Sequence, residues 1–209
     1  MTEYPGADLQ GRLALSLVIP VYNEAQSIDL FLARIDQVFA QESQVSLELV
    51  FVNDGSVDDT LVLLLDRQKA DPRIRIVDLS RNFGKEAALS AGLQAARGQA
   101  VVPIDVDLQD PPEVILEMIA HWRNGAEVVL GHRINRDSDS WAKQVSANGF
   151  YRLHNKIADH KLPENVGDFR LMDRCVVDAL LTLPESRRFM KGLFCLGGVP
   201  DYLRGLRQA

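Results

Sequence analysis

Short apolar runs, each followed by a stretch with helical spacing, constrain this chain more than any other feature. Residues 15–19, 47–52, 74–79, 127–130 and the run beginning at Val101 are strand-like. Between them, Ser27 stands where a helix cap is wanted, ahead of Ile28, Leu32, Ile35 and Phe39 on one face. A second helix is expected from Asp58-Asp59-Thr60 to about Lys69, with Asp71-Pro72 stopping it. Residues 85–97 are rich in Ala and closed by Gly98, and 112–124 form the next helical segment. Strands separated by helices of this length predict an α/β fold, a doubly wound, mostly parallel sheet with helices on both sides and right-handed crossovers. In such sheets a ligand sits outside the carboxyl ends of the strands.

The fourth strand-like run ends in carboxylates: Val101-Val102-Pro103-Ile104-Asp105-Val106-Asp107-Leu108-Gln109-Asp110. Two carboxylates at one exit point repel each other unless a cation lies between them. Oxygen ligands without neighbouring His or Cys favour a hard cation, Mg²⁺ or Mn²⁺, that keeps waters and shares itself with substrate phosphates. The alternative is that Asp107 and Asp110 cap a helix opening at Pro111-Pro112.

Polar clusters follow the other strands at the same edge. Pro20-Val21-Tyr22-Asn23-Glu24 comes after the first, Asn53-Asp54-Gly55-Ser56 after the second, and Arg81-Asn82-Phe83-Gly84-Lys85 after the third. Together they supply acceptors for a base and ribose, and a cation for phosphates. Singly, each has a plain structural reading: a turn for Asn53 to Ser56, a solvated helix-entry charge for Glu24, an exposed first-turn lysine for Lys85. Neither a P-loop nor a Gly-x-Gly-x-x-Gly fingerprint is present.

Composition narrows the partners. With 209 residues and 46% hydrophobic side chains, the chain suffices for one sizeable core. The net charge of −6 argues against a general nucleic-acid binder. Residues 181–209 carry +3, which leaves −9 for the first 180. Such a basic end suits either solvent or the neighbourhood of anionic headgroups. Cys175 and Cys195 lack metal or redox spacing and are expected to be buried thiols of a reducing compartment. No signal-peptide order opens the chain, and no window approaches the roughly 18 to 20 apolar residues that span a bilayer. His121, His132, His154 and His160 have no partner at metal spacing. Trp141, Val145, Phe150, Leu153 and Ile157 form a rough helical stripe that suits core packing or a lipid-facing surface.

The clusters taken in order resemble the inverting polyprenyl-phosphate glycosyltransferases of the GT-A, family 2 type. The resemblance rests on Val18 to Glu24, Val52 to Ser56, Arg81 to Glu86 and Ile104 to Pro111. Leu153-His154-Asn155-Lys156, Asn165 to Met172 and Phe189-Met190-Lys191-Gly192 narrow it to the bactoprenol (undecaprenyl-phosphate) glucosyl transferases, related to dolichol-phosphate mannose synthases. It covers residues 14–194, a catalytic domain preceded by an extension, 1–13, and followed by a basic tail, 195–209.

The resemblance implies a GT-A nucleotide-sugar-binding fold and transfer of a hexose, glucose from UDP-glucose, to undecaprenyl phosphate at the cytoplasmic membrane face. By matching position, Pro20, Tyr22, Glu24 and Asp54 hold the uridine part and Lys85 helps with the nucleotide. Asp105 lies beside ribose and metal. Asp107 and Gln109 ligate a Mg²⁺ or Mn²⁺ ion on the diphosphate, with Asp105 part of the same metal and catalytic set. Arg133 and Arg170 suit phosphate, whose oxygens match a guanidinium fork. Asp168 is placed near the reacting carbon, with an ion pair to Arg170 as the structural alternative. Homo-tetramers are the family's common assembly.

The chain departs from the family after Gly192. Relatives continue through another strand and amphipathic helices into two transmembrane helices, whereas residues 193–209 do not align to that continuation. The expectation is a complete donor side and an incomplete acceptor side, with a soluble glycan acceptor or a binding-only role as the competing readings.

Overall fold

The computed structural model describes residues 13–132 and 166–182. The strands are β1 (Leu13–Val21), β2 (Val45–Asn53), β3 (Ile74–Asp78), β4 (Ala100–Pro103), β5 (Val128–His132) and β6 (Val166–Asp173). The helices are α1 (Ile28–Phe39), α2 (Thr60–Ala70), α3 (Lys85–Ala95), α4 (Val114–Arg123) and α5 (Arg174–Thr182). They build one sheet in the order β3-β2-β1-β4-β6-β5. Pairs β1–β2, β1–β4 and β2–β3 are parallel, and β6 runs antiparallel to both neighbours. Since β6 opposes both, β5 points the same way as β1 to β4.

Alternation along β1 explains why this sheet is covered twice. Leu15, Leu17 and Ile19 join a core with Ile28, Phe31 and Ile35 of α1, Leu64 of α2 and Ile115, Met118 and Ile119 of α4. Val18, between them, faces the opposite core with Ala88, Leu89 and Leu93 of α3 and Val176, Val177 and Leu180 of α5. Period-two side chains on a strand buried on both faces give the continuous apolar run seen in the sequence. Phe31 and Phe51 meet edge to face, with centroids 6.1 Å apart, which fixes α1 against β2.

Ser16 is the polar exception in β1 and is fully buried. Its hydroxyl donates to Glu48 Oε2 (2.5 Å) and accepts from the backbone N–H of Gly98 (2.8 Å). Glu48 also accepts from Arg75 Nη1 (2.8 Å) and from the Arg97 N–H (2.9 Å). Burial alone raises this carboxyl, but the hydrogen bonds from Ser16, Arg75 and Arg97 outweigh it, and the net shift is downward.

Several local expectations are corrected. Ser27 stands at the start of α1, but its hydroxyl donates to Glu24 Oε2 (2.7 Å) and makes no cap bond to the helix. Gly98 does not close α3, which ends at Ala95 with Ala96 extended. A side chain at Gly98 would instead meet the Ser16 nitrogen at 2.6 Å, so this glycine admits β1. The α3 terminus is held from elsewhere: Arg174 donates to the carbonyls of Ala96 (2.9 Å) and Gly98 (2.7 Å). Helix α4 begins at Val114 after Glu113, whose own side chain makes no cap bond, while the Asp107 carboxylate accepts the Gln109 N–H within its own turn. Cys175 is partly exposed, not buried. Residues 1–12 of the extension, the tail, Cys195, His154, His160 and the stripe from Trp141 to Ile157 lie outside the described residues, while Leu13 already belongs to β1. Among the described residues, no helix is long and apolar enough to cross a membrane.

Two outcomes test this packing. A Cβ at Gly92 runs into Val18 Cγ1 and lies 2.9 Å from Val52 Cγ2, both stiff strand side chains. Gly92→Val is therefore expected to lose about 1–3 kcal/mol by overpacking, more than helix propensity returns, read as a lower Tm. Because the Glu48 pKa is depressed on folding, its stabilisation is present above its unfolded pKa and is lost as pH falls through the folded value. Glu48→Gln should cost about 1–3 kcal/mol at pH 7, and its difference from wild type should shrink below about pH 4 in denaturant titrations.

Candidate functional site

The four parallel strands β1 to β4 end side by side. Register pairs Val21 with Asn53 and Asn53 with Asp78, while Val18 pairs with Pro103. Every turn that leaves these ends therefore opens on one edge of the sheet.

At that edge, Asp54 clasps the β3–α3 loop. It is 4% exposed, and its two oxygens accept the backbone N–H groups of Phe83 (2.8 Å) and Gly84 (2.9 Å). Its own N–H donates to the Val21 carbonyl (2.9 Å). Beside it, Gly55 has φ +67, and a Cβ there would lie 2.5 Å from the Asn82 nitrogen and 2.6 Å from Arg81 Cα. The Asp-Gly pair thus grips residues 81–84 by hydrogen bonds and by absence of a side chain. Asn53 is buried too, donating from Nδ2 to Asp78 Oδ1 (2.7 Å).

The loop after β1 is tied to the same turn. Asn23, at φ 56, donates its N–H to Ser56 Oγ (2.9 Å) and accepts from the Val57 N–H (2.9 Å). The Glu24 N–H donates to Thr60 Oγ1 (2.9 Å), whose hydroxyl donates to Asp58 Oδ1 (2.5 Å). The Asp58 carboxyl is held below its ordinary range, first by the Thr60 hydroxyl. Tyr22 and Phe83 stand exposed at this rim, and the Arg81 guanidinium lies 4.4 Å from the Phe83 ring centroid.

Strand β4 stops at Pro103, and Ile104 still donates to the Val18 carbonyl (3.0 Å). Asp105 and Asp107 therefore stand in the turn beyond the strand. Val106, between them, is buried at 4%, and Leu108 has φ 59. Asp105 Oδ2 accepts from Lys85 Nζ at 2.8 Å, a contact that ties α3 to this turn. Asp107 is exposed and accepts the Gln109 N–H (3.1 Å). Among the described residues no group of three or more His, Cys, Asp or Glu side chains gathers to enclose an ion. An open, oxygen-only pair of this kind fits a hard cation that completes its shell with water and phosphate oxygens.

The structure thus brings Pro20, Tyr22, Glu24, Asp54, Lys85, Asp105, Asp107 and Gln109 to one edge. The sequence reading missed strand β6, and with it the reason Arg170 belongs nearby. Met172 pairs with Val101 in antiparallel register, so preceding residues of β6 run toward the carboxyl end of β4. Arg170, 1% exposed, is carried that way. Asp168 has its backbone in β6, while its side chain and Arg133 lie outside the described residues. Phe169, Leu171 and Met172 around Arg170 are a local signal too short to mark a strand or its direction.

A mostly parallel sheet with one antiparallel insertion and an acidic turn after β4 is a GT-A architecture. The sequence model of glycosyl transferase family 2 matches residues 16–181, and the chain belongs to that family. It is 49% identical over 89% of its length to an uncharacterized glycosyltransferase of Synechocystis, covering 58% of that protein. It is 45% identical to a prophage bactoprenol glucosyl transferase homolog of Escherichia coli, over 93% of this chain and 64% of the relative. The bactoprenol glucosyl transferase of Shigella phage SfV is 46% identical, over 94% and 65%. The chain thus spans roughly three-fifths of the length of these relatives.

Solved structures share the fold at lower identity. A mannosyltransferase of Pyrobaculum calidifontis in complex with GDP-Man and Mn²⁺ superposes with TM-score 0.56 at 22% identity, over 81% of this chain and 47% of that one. Glucosyl-3-phosphoglycerate synthase of Mycobacterium tuberculosis, with Mn²⁺, UDP and product, gives 0.56 at 23%, over 90% and 66%.

The clasp is directly testable. Asp54→Ala removes both acceptors, so hydrogen exchange at the Phe83 and Gly84 amides should quicken by at least about tenfold, as expected for losing charge-assisted bonds worth roughly 1.5–3 kcal/mol. Unchanged protection at these two amides would exclude the clasp.

Proposed function

We propose that this chain is the donor-binding, catalytic part of a glycosyltransferase that moves glucose from UDP-glucose to undecaprenyl phosphate at the cytoplasmic membrane face, with inversion. The observation that carries the reading is the gathering of Asp54, Lys85, Asp105 and Asp107 at one sheet edge, in a domain 45–46% identical to bactoprenol glucosyl transferases.

The uridine part lies along the first two turns, against Pro20, Tyr22, Glu24 and the Asp54 turn, where the exposed Tyr22 ring offers a stacking face. Asp105, Asp107 and Gln109 would hold Mg²⁺ or Mn²⁺, which when bound neutralises charge on the departing diphosphate. Lys85 adds a cation from the α3 side. Arg133 and Arg170 would supply guanidinium forks for phosphate oxygens.

The acceptor needs little activation. A phosphate monoester with a second pKa of about 6 is largely dianionic at pH 7, so it attacks the anomeric carbon without losing a proton to the protein. Asp168 is then a positioning group for the acceptor or for Arg170, in preference to a general base. Attack from the face opposite the diphosphate inverts the anomeric centre.

Calorimetric titration with UDP-glucose, with and without Mn²⁺, tests the donor side, alongside UDP-galactose and GDP-mannose. Mn²⁺-dependent binding of the UDP sugar is expected, with Asp107→Ala weakening it by at least about tenfold, as for loss of one charged ligand contact. No binding of any nucleotide sugar would overturn the proposal. Glucose transfer to undecaprenyl phosphate in detergent tests the acceptor side, and turnover only with a soluble glycan would replace that acceptor.

A further inference from the structure

Lys85 occupies an electrostatically awkward position. It is the first residue of the eleven-residue helix α3, directly after Gly84. A helix's amino end carries partial positive charge and free N–H groups, so it favours anions and disfavours a lysine. Here the awkwardness is offset across space: Nζ lies 2.8 Å from Asp105 Oδ2. The backbone beneath it is fixed by the Asp54 bonds to Phe83 and Gly84, so the ammonium is aimed and not merely free in solvent.

The pair is also built to come apart. Its side chains are 45% and 33% exposed, and an ion pair so open to water is only weakly held. Lys85 sits on the very carboxylate that a divalent cation would use together with Asp107. A cation and an ammonium sharing Asp105 repel each other. A diphosphate entering at the α3 end brings the negative charge that makes both tolerable.

Resting on the nucleotide-sugar reading, we propose that Lys85 is an exchangeable counter-ion. It holds Asp105 while the site is empty, cedes it to the divalent cation that arrives with a nucleoside diphosphate, and turns to the diphosphate oxygens. Cation and nucleotide binding are thereby coupled, and the bare cation binds poorly because it must displace an ammonium.

The test follows free Mn²⁺ by electron paramagnetic resonance during titration of the 209-residue chain without nucleotide, then UDP binding by calorimetry in saturating Mn²⁺. Lys85→Met should bind bare Mn²⁺ about two- to fivefold more tightly than wild type, the release expected from a partly exposed ion pair. The same variant should bind UDP about tenfold more weakly, having lost a charged partner for phosphate. Lys85→Arg, which keeps the charge, should stay near wild type for bare Mn²⁺. General damage to the fold would weaken both ligands together, so the opposite signs are the signature. The Mn²⁺ gain should vanish in a Lys85→Met, Asp107→Ala double variant, showing that the ion is read at this turn.

Unchanged or weaker Mn²⁺ binding in Lys85→Met overturns the exchange, as does a gain that survives loss of Asp107. Failure of wild type to bind UDP with Mn²⁺ would overturn the nucleotide-sugar reading itself, whatever Lys85 does to the bare ion.

Discussion

Burial of the central strands on both faces is the constraint from which the rest follows. β1 has no wet side, because Leu15, Leu17 and Ile19 serve one core and Val18 the other. Polar groups are admitted to such a strand only when fully partnered, as Ser16 is by Glu48 and Gly98. Chemistry is thereby expelled from the strands and collected where their carboxyl ends give way to turns. The position of Asp54, Lys85, Asp105 and Asp107 is the result of how the core is packed.

Those turns hold one another. Asp54 grips the loop that leads into α3, Gly55 lets that loop approach, and Lys85 reaches across to the turn after β4. A bond network of this kind orders a site before its ligand arrives, which lowers the entropic cost of binding. It also gives Asp54 a role distinct from touching a base: both oxygens already serve the protein backbone.

Much of this was legible from residue order. The 3.6 and 2 periodicities located β1 to β5 and α1 to α4 within a few residues, because their signals are local. The edge that carries the polar clusters followed from the parallel topology. What escaped was non-local. β6 is recognisable as an antiparallel strand only once β4 and β5 stand on either side of it. Gly98 looked like a helix stop because Gly commonly is one, whereas the structure uses it to admit β1 from 82 residues away. Ser27 had the right identity for a cap, yet its hydroxyl donates to Glu24 and its oxygen accepts no helix N–H. Arg174, which holds the carbonyls beyond α3, gave no signal in its own neighbourhood.

The place of β6 has a consequence for how the chain comes together during synthesis. Residues 128–132 emerge well before 166–173, yet β6 lies between β5 and β4. Until it arrives, β4 has one side of its backbone unpaired and β5 has no ladder among the described residues. Bringing β6 between them closes a chain separation of more than thirty residues before the pairing repays it, the kind of non-local contact that forms slowly. The nascent domain therefore waits with an open sheet edge beside its acidic turn, the kind of edge on which other chains can add. Insertion of β6 covers the open side of β4, so the strand that carries Arg170 toward the site also protects the edge beside the acidic turn.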